Sequence, residues 1–145
     1  MAKKPARVPD TALKAPNKKQ TRFIESQHND NKPVWRFSTT DKAGPFPWPK
    51  GGMDELKIGV KLHDFDSMTW SDIAGSDHHY LSPESLSKKA IDRLEEIKKD
   101  DEAENLFSFH LAGKPRIIAI KHDNIAKLLW YDPDHLVAIS KKKNT

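Results

Sequence analysis

The sequence predicts an α+β domain in which a small antiparallel sheet carries two helices packed on one side. Three short apolar runs lie within residues 105–135 and are joined by short turns. A parallel return would need a crossover of about a dozen residues or more, so these runs predict an antiparallel meander. Two upstream segments, 53–66 and 83–100, have helical patterns. The expected order is therefore β-α-α-β-β-β, in which the first strand precedes the two helices.

The first strand is expected in residues 33–39, where apolar and polar side chains alternate after a proline. The next segment, 43–49, contains three prolines, which remove backbone donors and fix φ, so a loop is expected there. Trp48 lies in this loop and is the best candidate for stacking on a nucleic-acid base. An aromatic residue in a small domain more often belongs to the core.

Residues 53–66 fit two patterns. Alternation typical of a strand relates Leu56, Ile58, Val60 and Leu62. Helical spacing gives one face with Met53, Leu56, Val60 and His63, and another with Ile58, Leu62 and Phe65. The length of the segment and the acidic residues near its start favour a helix, buried on two sides.

The second helix is expected from about Pro83 to Asp100. Ser82 is a plausible N-cap, and proline suits the first turn of a helix. Apolar residues recur at helical spacing at Leu86, Ala90, Leu94 and Ile97. Charged residues fill the opposite face, which predicts an amphipathic helix against the sheet.

The three strands of the meander are the clearest elements. Phe107, Phe109 and Leu111 alternate with polar or small residues, 117–120 is rich in β-branched residues, and 125–131 ends in aromatics. The turns between them are expected at 113–115 and 122–124, which contain Gly, Pro, Asp and Asn.

Composition divides the chain of 145 residues into a single domain at 33–140, a disordered basic arm at 1–32 and a basic tail at 141–145. Residues 1–22 contain seven Lys or Arg and one Asp, and residues 141–143 are lysines. The other 15 of the 25 basic residues and 20 of the 21 acidic residues lie between these segments, so the body is mildly acidic. Basic tails are suited to phosphate or carboxylate groups of a partner, or are simply solvated.

Several classes of protein are not expected. The absence of cysteine excludes a disulfide framework and a thiolate metal site. No apolar stretch approaches the ~20 residues needed to cross a membrane, so no membrane contact is expected. The basic N-terminus is not followed by an apolar signal region, and a soluble cytoplasmic protein is expected.

The order of elements resembles the RelE/ParE-type toxins of bacterial toxin-antitoxin systems. The segment from His110 to Arg116 is similar to their strand-turn-strand region, in which a basic residue and a glycine precede an arginine that opens the next strand. The segment from Trp130 to His135 also resembles a group of small uncharacterised bacterial proteins ending in Trp-Trp/Tyr-Asp-Pro-x-His. These resemblances imply a RelE-like fold and a bacterial or phage origin.

The toxin resemblance implies an endoribonuclease that cuts messenger RNA, possibly on the ribosome, without a metal or cofactor. It also implies a small antitoxin that covers the sheet and basic residues. Arg116 matches the arginine that would clamp the phosphate, and His110 stands where the family usually has another basic residue. Tyr131 and His135 lie where the family often keeps a titrating Tyr or His. Further cations for RNA would come from Lys88, Lys89, Arg93 and Lys114.

Two other readings remain open at this level. One is a non-catalytic protein of the same fold, or a phage or host protein, that binds a protein partner or nucleic acid through its sheet and basic tails. The other is a metal site in which 77–79, Asp-His-His, meets Asp132, Asp134 and His135, because imidazole and carboxylate suit zinc, manganese or iron. Adjacent histidines on an extended segment point in opposite directions, so only one of them could join.

Overall fold

A computed structural model gives the structure of residues 31–139, so the tail expected at 141–145 and nearly all of the expected arm at 1–32 lie outside the described residues. Within this range five strands form one sheet: β1 Val34–Arg36, β2 His79–Tyr80, β3 Leu106–His110, β4 Arg116–His122 and β5 Ile125–Asp132. The helices are α1 Gly52–Asp66, α2 Trp70–Ile73 and α3 Lys88–Glu96, with 3-10 turns at Pro83–Ser85 and Asp100–Asn105. None of the helices described here has the length and apolar character needed to cross a membrane.

The α+β class and the meander are confirmed, but the sheet is mixed rather than antiparallel. Its order is β1-β5-β4-β3-β2, and all neighbouring pairs are antiparallel except β1 with β5. Val34 of β1 is in register with Ile125 of β5, and the two strands run in the same direction. A parallel pair needs a connection of about a dozen residues or more. The chain between β1 and β5 is far longer than this and contains every other element, so these two strands can be parallel.

The helices cover both faces of the sheet, so the expectation of two helices on one side is wrong. Helices α1 and α2 pack Ile58, Leu62 and Trp70 against Phe107 and Phe109 of β3. Helix α3 lies on the opposite face, and its buried residues Ala90 and Leu94 belong to a second core cluster with Ile118 and Trp130. The reason lies in β4, whose run Ile117–Ile120 sends apolar side chains alternately to both faces, and both faces must then be covered.

A strap formed by residues 37–48 closes the border of the sheet beyond β1. The Asp41 N–H donates to the Leu129 carbonyl oxygen at 2.9 Å, and the Phe46 carbonyl oxygen accepts from Tyr131 N–H at 3.3 Å. Phe46 packs against Trp130 with ring centroids 5.0 Å apart, while Trp48 joins the core on the α1 face. Trp48 is only 6% exposed, so the core position that is more common for such an aromatic residue is confirmed, and Trp48 is not placed to stack on a base.

Helix α1 is buried on one side only. Its residues Ile58, Leu62 and Phe65 are buried against the sheet, as expected. The face that carries Met53, Leu56 and Val60 is exposed, at 64%, 59% and 56%. The expected burial on two sides is therefore wrong, because nothing within residues 31–139 covers this second face.

Helix α3 begins later than its amphipathic pattern predicts. Pro83 opens a 3-10 turn, and Leu86 then forms a bridge with Ala138 in extended conformation. The Ser87 side chain, not that of Ser82, caps the helix by accepting from the Ala90 N–H at 3.3 Å. Lys98, with φ of 60°, lies just after the helix end.

Candidate functional site

A cleft of about 470 Å³ opens on the α3 face of the sheet, where β3 ends and β4 begins. It brings together three of the residues expected to be catalytic, His110, Arg116 and His135. Other polar residues along its wall are Ser76, Asp77, His79, Tyr80, Ser82, Ser85 and Ser108. The cleft therefore combines imidazole, guanidinium and hydroxyl groups around one space.

Arg116 is held by the turn that precedes it. Its Nη1 donates to the carbonyl oxygens of Gly113, Lys114 and Pro115, at 2.8, 2.7 and 3.1 Å. Gly113 has φ of 84°, a conformation that favours glycine and that aims its carbonyl group toward this guanidinium. Asp132 is the register partner of Arg116 across the strands, yet no carboxylate in residues 31–139 lies within ion-pair distance of the guanidinium. Within the described residues, no carboxylate therefore neutralises the charge of Arg116.

His110 is fixed by the same turn. Its Nε2 lies 2.9 Å from the Gly113 carbonyl oxygen, and because a carbonyl oxygen only accepts, Nε2 is the protonated nitrogen. Nδ1 lies 3.9 Å from the carboxylate of Asp77, which is largely exposed. The second ring nitrogen is therefore placed beside a negatively charged group.

His135 lies in the loop after β5, and a buried carboxylate shapes that loop. Asp132 is 1% exposed, and its two oxygens accept from the N–H groups of Leu136 and Val137, both at 2.8 Å. His135 itself has φ of 58°, and its N–H donates to the Asp132 carbonyl oxygen. Packing around the ring, and then the charge of Arg116, lower the pKa of His135 below its ordinary value. A neutral imidazole near pH 7 results.

The two adjacent histidines point to opposite faces of the sheet. His79, in register with Ser108, lines the cleft. His78 packs edge-on against Phe65 at 4.9 Å, and its Nδ1 accepts from the His110 N–H at 3.0 Å. Burial lowers the pKa of His78. In the described part of the chain, no group of three or more His, Asp or Glu side chains is placed to hold a metal ion.

Tyr131 is not brought into the cleft. It belongs to the core cluster on the α1 face, whereas Arg116 lies on the α3 side. Burial, and then the charge and hydrogen bond of Asp54, raise the pKa of the Tyr131 hydroxyl. Tyr131 therefore lies on the other face of the sheet from the three expected catalytic residues in the cleft.

The expected RNA-binding cations also separate. Lys114 is exposed in the turn beside Arg116, and its charge contributes to the lowered pKa of His135. Lys88 and Lys89 are exposed in the first turn of α3, and Lys88 pairs with Asp92 at 3.0 Å. Arg93 instead forms an internal ion pair: its Nε and Nη2 donate to the buried carboxylate of Asp41 at 2.9 and 2.8 Å. Arg93 does not line the cleft.

Sequence reasoning did not assign His79, Ser82, Ser85 and Ser108 to this site, although they line it. The signal for His79 was present, since a His-His pair on an extended segment must send one ring to each face. Ser108 lies on β3 two residues before His110, so alternation along that strand indicated the same face for both. Ser82 and Ser85 gave no such signal, because they reach the cleft only through the two-residue strand β2 and the turn after it. Comparison with protein-family models, curated proteins and solved structures found no match to this chain. Its function is therefore inferred from the geometry of the cleft.

Proposed function

We propose that this protein is an endoribonuclease that cleaves messenger RNA through its own side chains, and that it acts as the toxin of a toxin-antitoxin system. The observation that carries the proposal is the convergence of His110, Arg116 and His135 on one open cleft. Phosphodiester cleavage at a ribose needs a base, an acid and a positive charge near the phosphate. The two imidazoles can act as base and acid. The guanidinium of Arg116, which has no carboxylate partner in residues 31–139, can supply the charge.

The proposed reaction is an internal displacement. The ribose 2′-oxygen attacks the adjacent phosphorus, the bond from phosphorus to the 5′-oxygen breaks, and the products are a 2′,3′-cyclic phosphate and a 5′-hydroxyl. One proton leaves the 2′-hydroxyl and one is delivered to the departing 5′-oxygen. Arg116 stabilises the negative charge that builds on the phosphate oxygens, since a guanidinium matches phosphate geometry.

The lowered pKa of His135 supports its role as the base, and His110 is then the candidate for the acid. The pKa of His135 is lowered by packing and by Arg116, so this ring is neutral at pH 7 and accepts the 2′-hydroxyl proton. His110 lines the same cleft, with Nδ1 3.9 Å from the Asp77 carboxylate, and we assign it the role of the acid that donates to the 5′-oxygen.

Incubation of the purified full chain with a single-stranded RNA should produce fragments that end in 2′,3′-cyclic phosphate. Arg116→Ala and His135→Ala should each lower the cleavage rate by about 100-fold or more, since removal of one positioned group typically costs this much. Matched controls are Arg36→Ala and His63→Ala, which remove exposed residues outside the cleft and should keep the wild-type rate. Equal rates for the cleft variants and the wild type would contradict the assigned roles.

Toxicity provides a separate measurement. Induced expression in bacteria should stop growth, and the Arg116→Ala and His135→Ala variants should relieve the arrest while accumulating to the same level. If both variants still stop growth, the cleft is not the source of toxicity.

A protein partner is the second proposal, and the exposed face of α1 supports it. Met53, Leu56 and Val60 lie at helical spacing, and Leu56 and Val60 border a hollow of about 450 Å³ with Leu111 and Pro115. Lys57 and Lys61 line the same hollow, which suits an acidic amphipathic segment such as an antitoxin would provide. The Leu56→Glu variant should co-purify less of a small protein encoded beside this gene and should cleave RNA at the wild-type rate.

A further inference from the structure

We propose that Tyr80 of β2, with Lys121 of β4, forms a subsite that stacks the base of a nucleotide next to the phosphate in the cleft. The ligand is a single-stranded stretch of RNA that passes over the open border of the sheet. This inference rests on the proposed function and adds a binding position to it.

Strand β2 separates two hollows. His79 and Tyr80 line the cleft on the α3 face, and the same two residues line a second hollow of about 260 Å³. The second hollow lies on the α1 side, with Trp70, His78, Phe107 and Lys121 among its walls. A strand of RNA that leaves the cleft across β2 therefore meets Tyr80 first.

The Tyr80 ring is held by neighbouring side chains and is about half exposed. It packs on Phe107 with ring centroids 5.2 Å apart at an interplanar angle of 80°. The residue is 47% exposed, although its neighbour Phe107 is 2% exposed. The Lys121 ammonium group lies 5.5 Å from the centre of the Tyr80 ring. An aromatic ring that is held in place and half exposed can stack on a nucleobase without a large loss of side-chain entropy.

Lys121 supplies a positive charge at the same place. Its Nζ donates to the Asp123 carbonyl oxygen at 2.6 Å and lies 3.4 Å from the Tyr80 hydroxyl. The same ammonium group lies 4.5 Å from the centre of the Trp70 ring. These contacts hold the cation beside the Tyr80 ring, where it can attract a flanking phosphate or a base carbonyl oxygen.

Stacking of this kind accepts any base, because every base has a π face. It also requires that the base be out of a duplex, and the subsite therefore selects single-stranded RNA over a paired stem. Charge at Lys121 adds affinity that weakens as salt rises.

The test measures binding of the full chain to a fluorescent eight-nucleotide RNA that is 2′-O-methylated throughout, so that it carries no free 2′-hydroxyl to react. Tyr80→Leu, which keeps an apolar cover on Phe107, should raise Kd about ten-fold, in line with the loss of one stacked base. Tyr80→Trp should bind at least as well as the wild type. Phe37→Ala is the matched control, because Phe37 is 51% exposed, packs edge-on against Trp48 and follows β1 at the opposite border of the sheet.

A second arm tests stacking directly. In this arm a single base is removed from the oligonucleotide, at each position in turn. At one position the loss of the base should raise the Kd of the wild type. At that same position it should not change the Kd of Tyr80→Leu. Equal Kd values for Tyr80→Leu, Phe37→Ala and the wild type would overturn the subsite, as would the absence of any position-dependent effect. Cleavage of unmodified RNA by the same preparations separates the two proposals. If the RNA is cleaved normally but Tyr80→Leu does not change Kd, only the subsite is contradicted. If Tyr80→Leu raises Kd but no cleavage occurs, only the nuclease activity is contradicted.

Discussion

Arg116 is oriented by backbone carbonyl groups, and this has a consequence for substitution. A lysine ammonium cannot keep the contacts of Nη1 with the three carbonyl oxygens and at the same time present a second nitrogen to a phosphate. Arg116→Lys should therefore lower the RNA cleavage rate by about 100-fold while leaving the thermal midpoint unchanged. A rate within a few-fold of the wild type would show that a point charge is sufficient.

The acid limb of the pH–rate profile should report His135. As the proposed base, His135 must be neutral, and its lowered pKa keeps it neutral to a lower pH than an ordinary histidine. Lys114 is one of the charges that lower this pKa, so Lys114→Gln should move the acid limb toward higher pH. The exposed Lys50→Gln is the control. Movement toward lower pH, or none, would contradict the placement of Lys114 near the imidazole.

His78 should make folding stability depend on pH. Burial lowers its pKa in the folded protein from the ordinary 6.5, so the unfolded chain binds more protons near pH 6. The free energy of unfolding should then fall as pH decreases through about 6.5, because protonation favours the unfolded state. In His78→Gln, whose side-chain oxygen can still accept from the His110 N–H, chemical denaturation at pH 5.5 and 7.5 should show a smaller difference than in the wild type.

At the scale of elements, a buried ion pair joins the strap to α3. Asp41 is 8% exposed and accepts from Arg93 through two oxygens and from the Trp130 indole at 2.8 Å. These bonds and the charge of Arg93 hold the pKa of Asp41 low even though burial opposes this. Gly44, with φ of 80°, lies against the same guanidinium, and a Cβ there would approach Arg93 Cδ to 2.8 Å.

The Asp41→Ala variant should be destabilised by about 3–5 kcal/mol, because Nε and Nη2 of Arg93 and the Trp130 indole N–H lose their acceptor, and Arg93 keeps only its contact with the exposed Glu96. Urea denaturation measures this loss. The control is Asp92→Ala, which breaks the exposed pair with Lys88 and should change the free energy of unfolding by no more than about 1 kcal/mol. Similar values for the two variants would contradict the role of Asp41.

Elements with strong local patterns were predictable. Strands β3, β4 and β5 follow from alternation and from the turns between them, and the amphipathic pattern located the centre of α3 around Ala90 and Leu94. The start of α3 was missed because the bridge between Leu86 and Ala138 is a contact between distant parts of the chain. Strand β2 was missed because two residues carry no period, and it exists only through its pairing with β3.

At the scale of the whole molecule, local patterns could not decide which face a helix covers. The periodicity of α1 gives two apolar faces, and only the packed structure shows that one of them is left exposed. Local patterns also could not give all the residues of the cleft. His110 and Arg116 could be placed together because β3 and β4 are consecutive strands, whereas the position of His79 depends on the pairing of β2 with β3. Arg93 appeared available on its helix, and its partner Asp41 lies in a distant loop.

The asymmetry of α1 can be measured. Leu62 is 5% exposed against the sheet, so Leu62→Ala should lower the free energy of unfolding by about 2–5 kcal/mol. Leu56 is 59% exposed on the same helix, and Leu56→Ala should change it by no more than about 0.5 kcal/mol. Equal losses would mean that the outer face of α1 is covered in solution.

The two borders of the sheet have different consequences for association between copies of the chain. At one border β1 presents only three residues, and beyond its end the strap occupies backbone groups of β5 that a foreign strand would need. At the other border β2 offers only two residues of unpaired backbone, too short a template for a neighbouring molecule to extend. We therefore expect concentrated solutions of the folded protein to resist the growth of fibrils seeded by exposed strands.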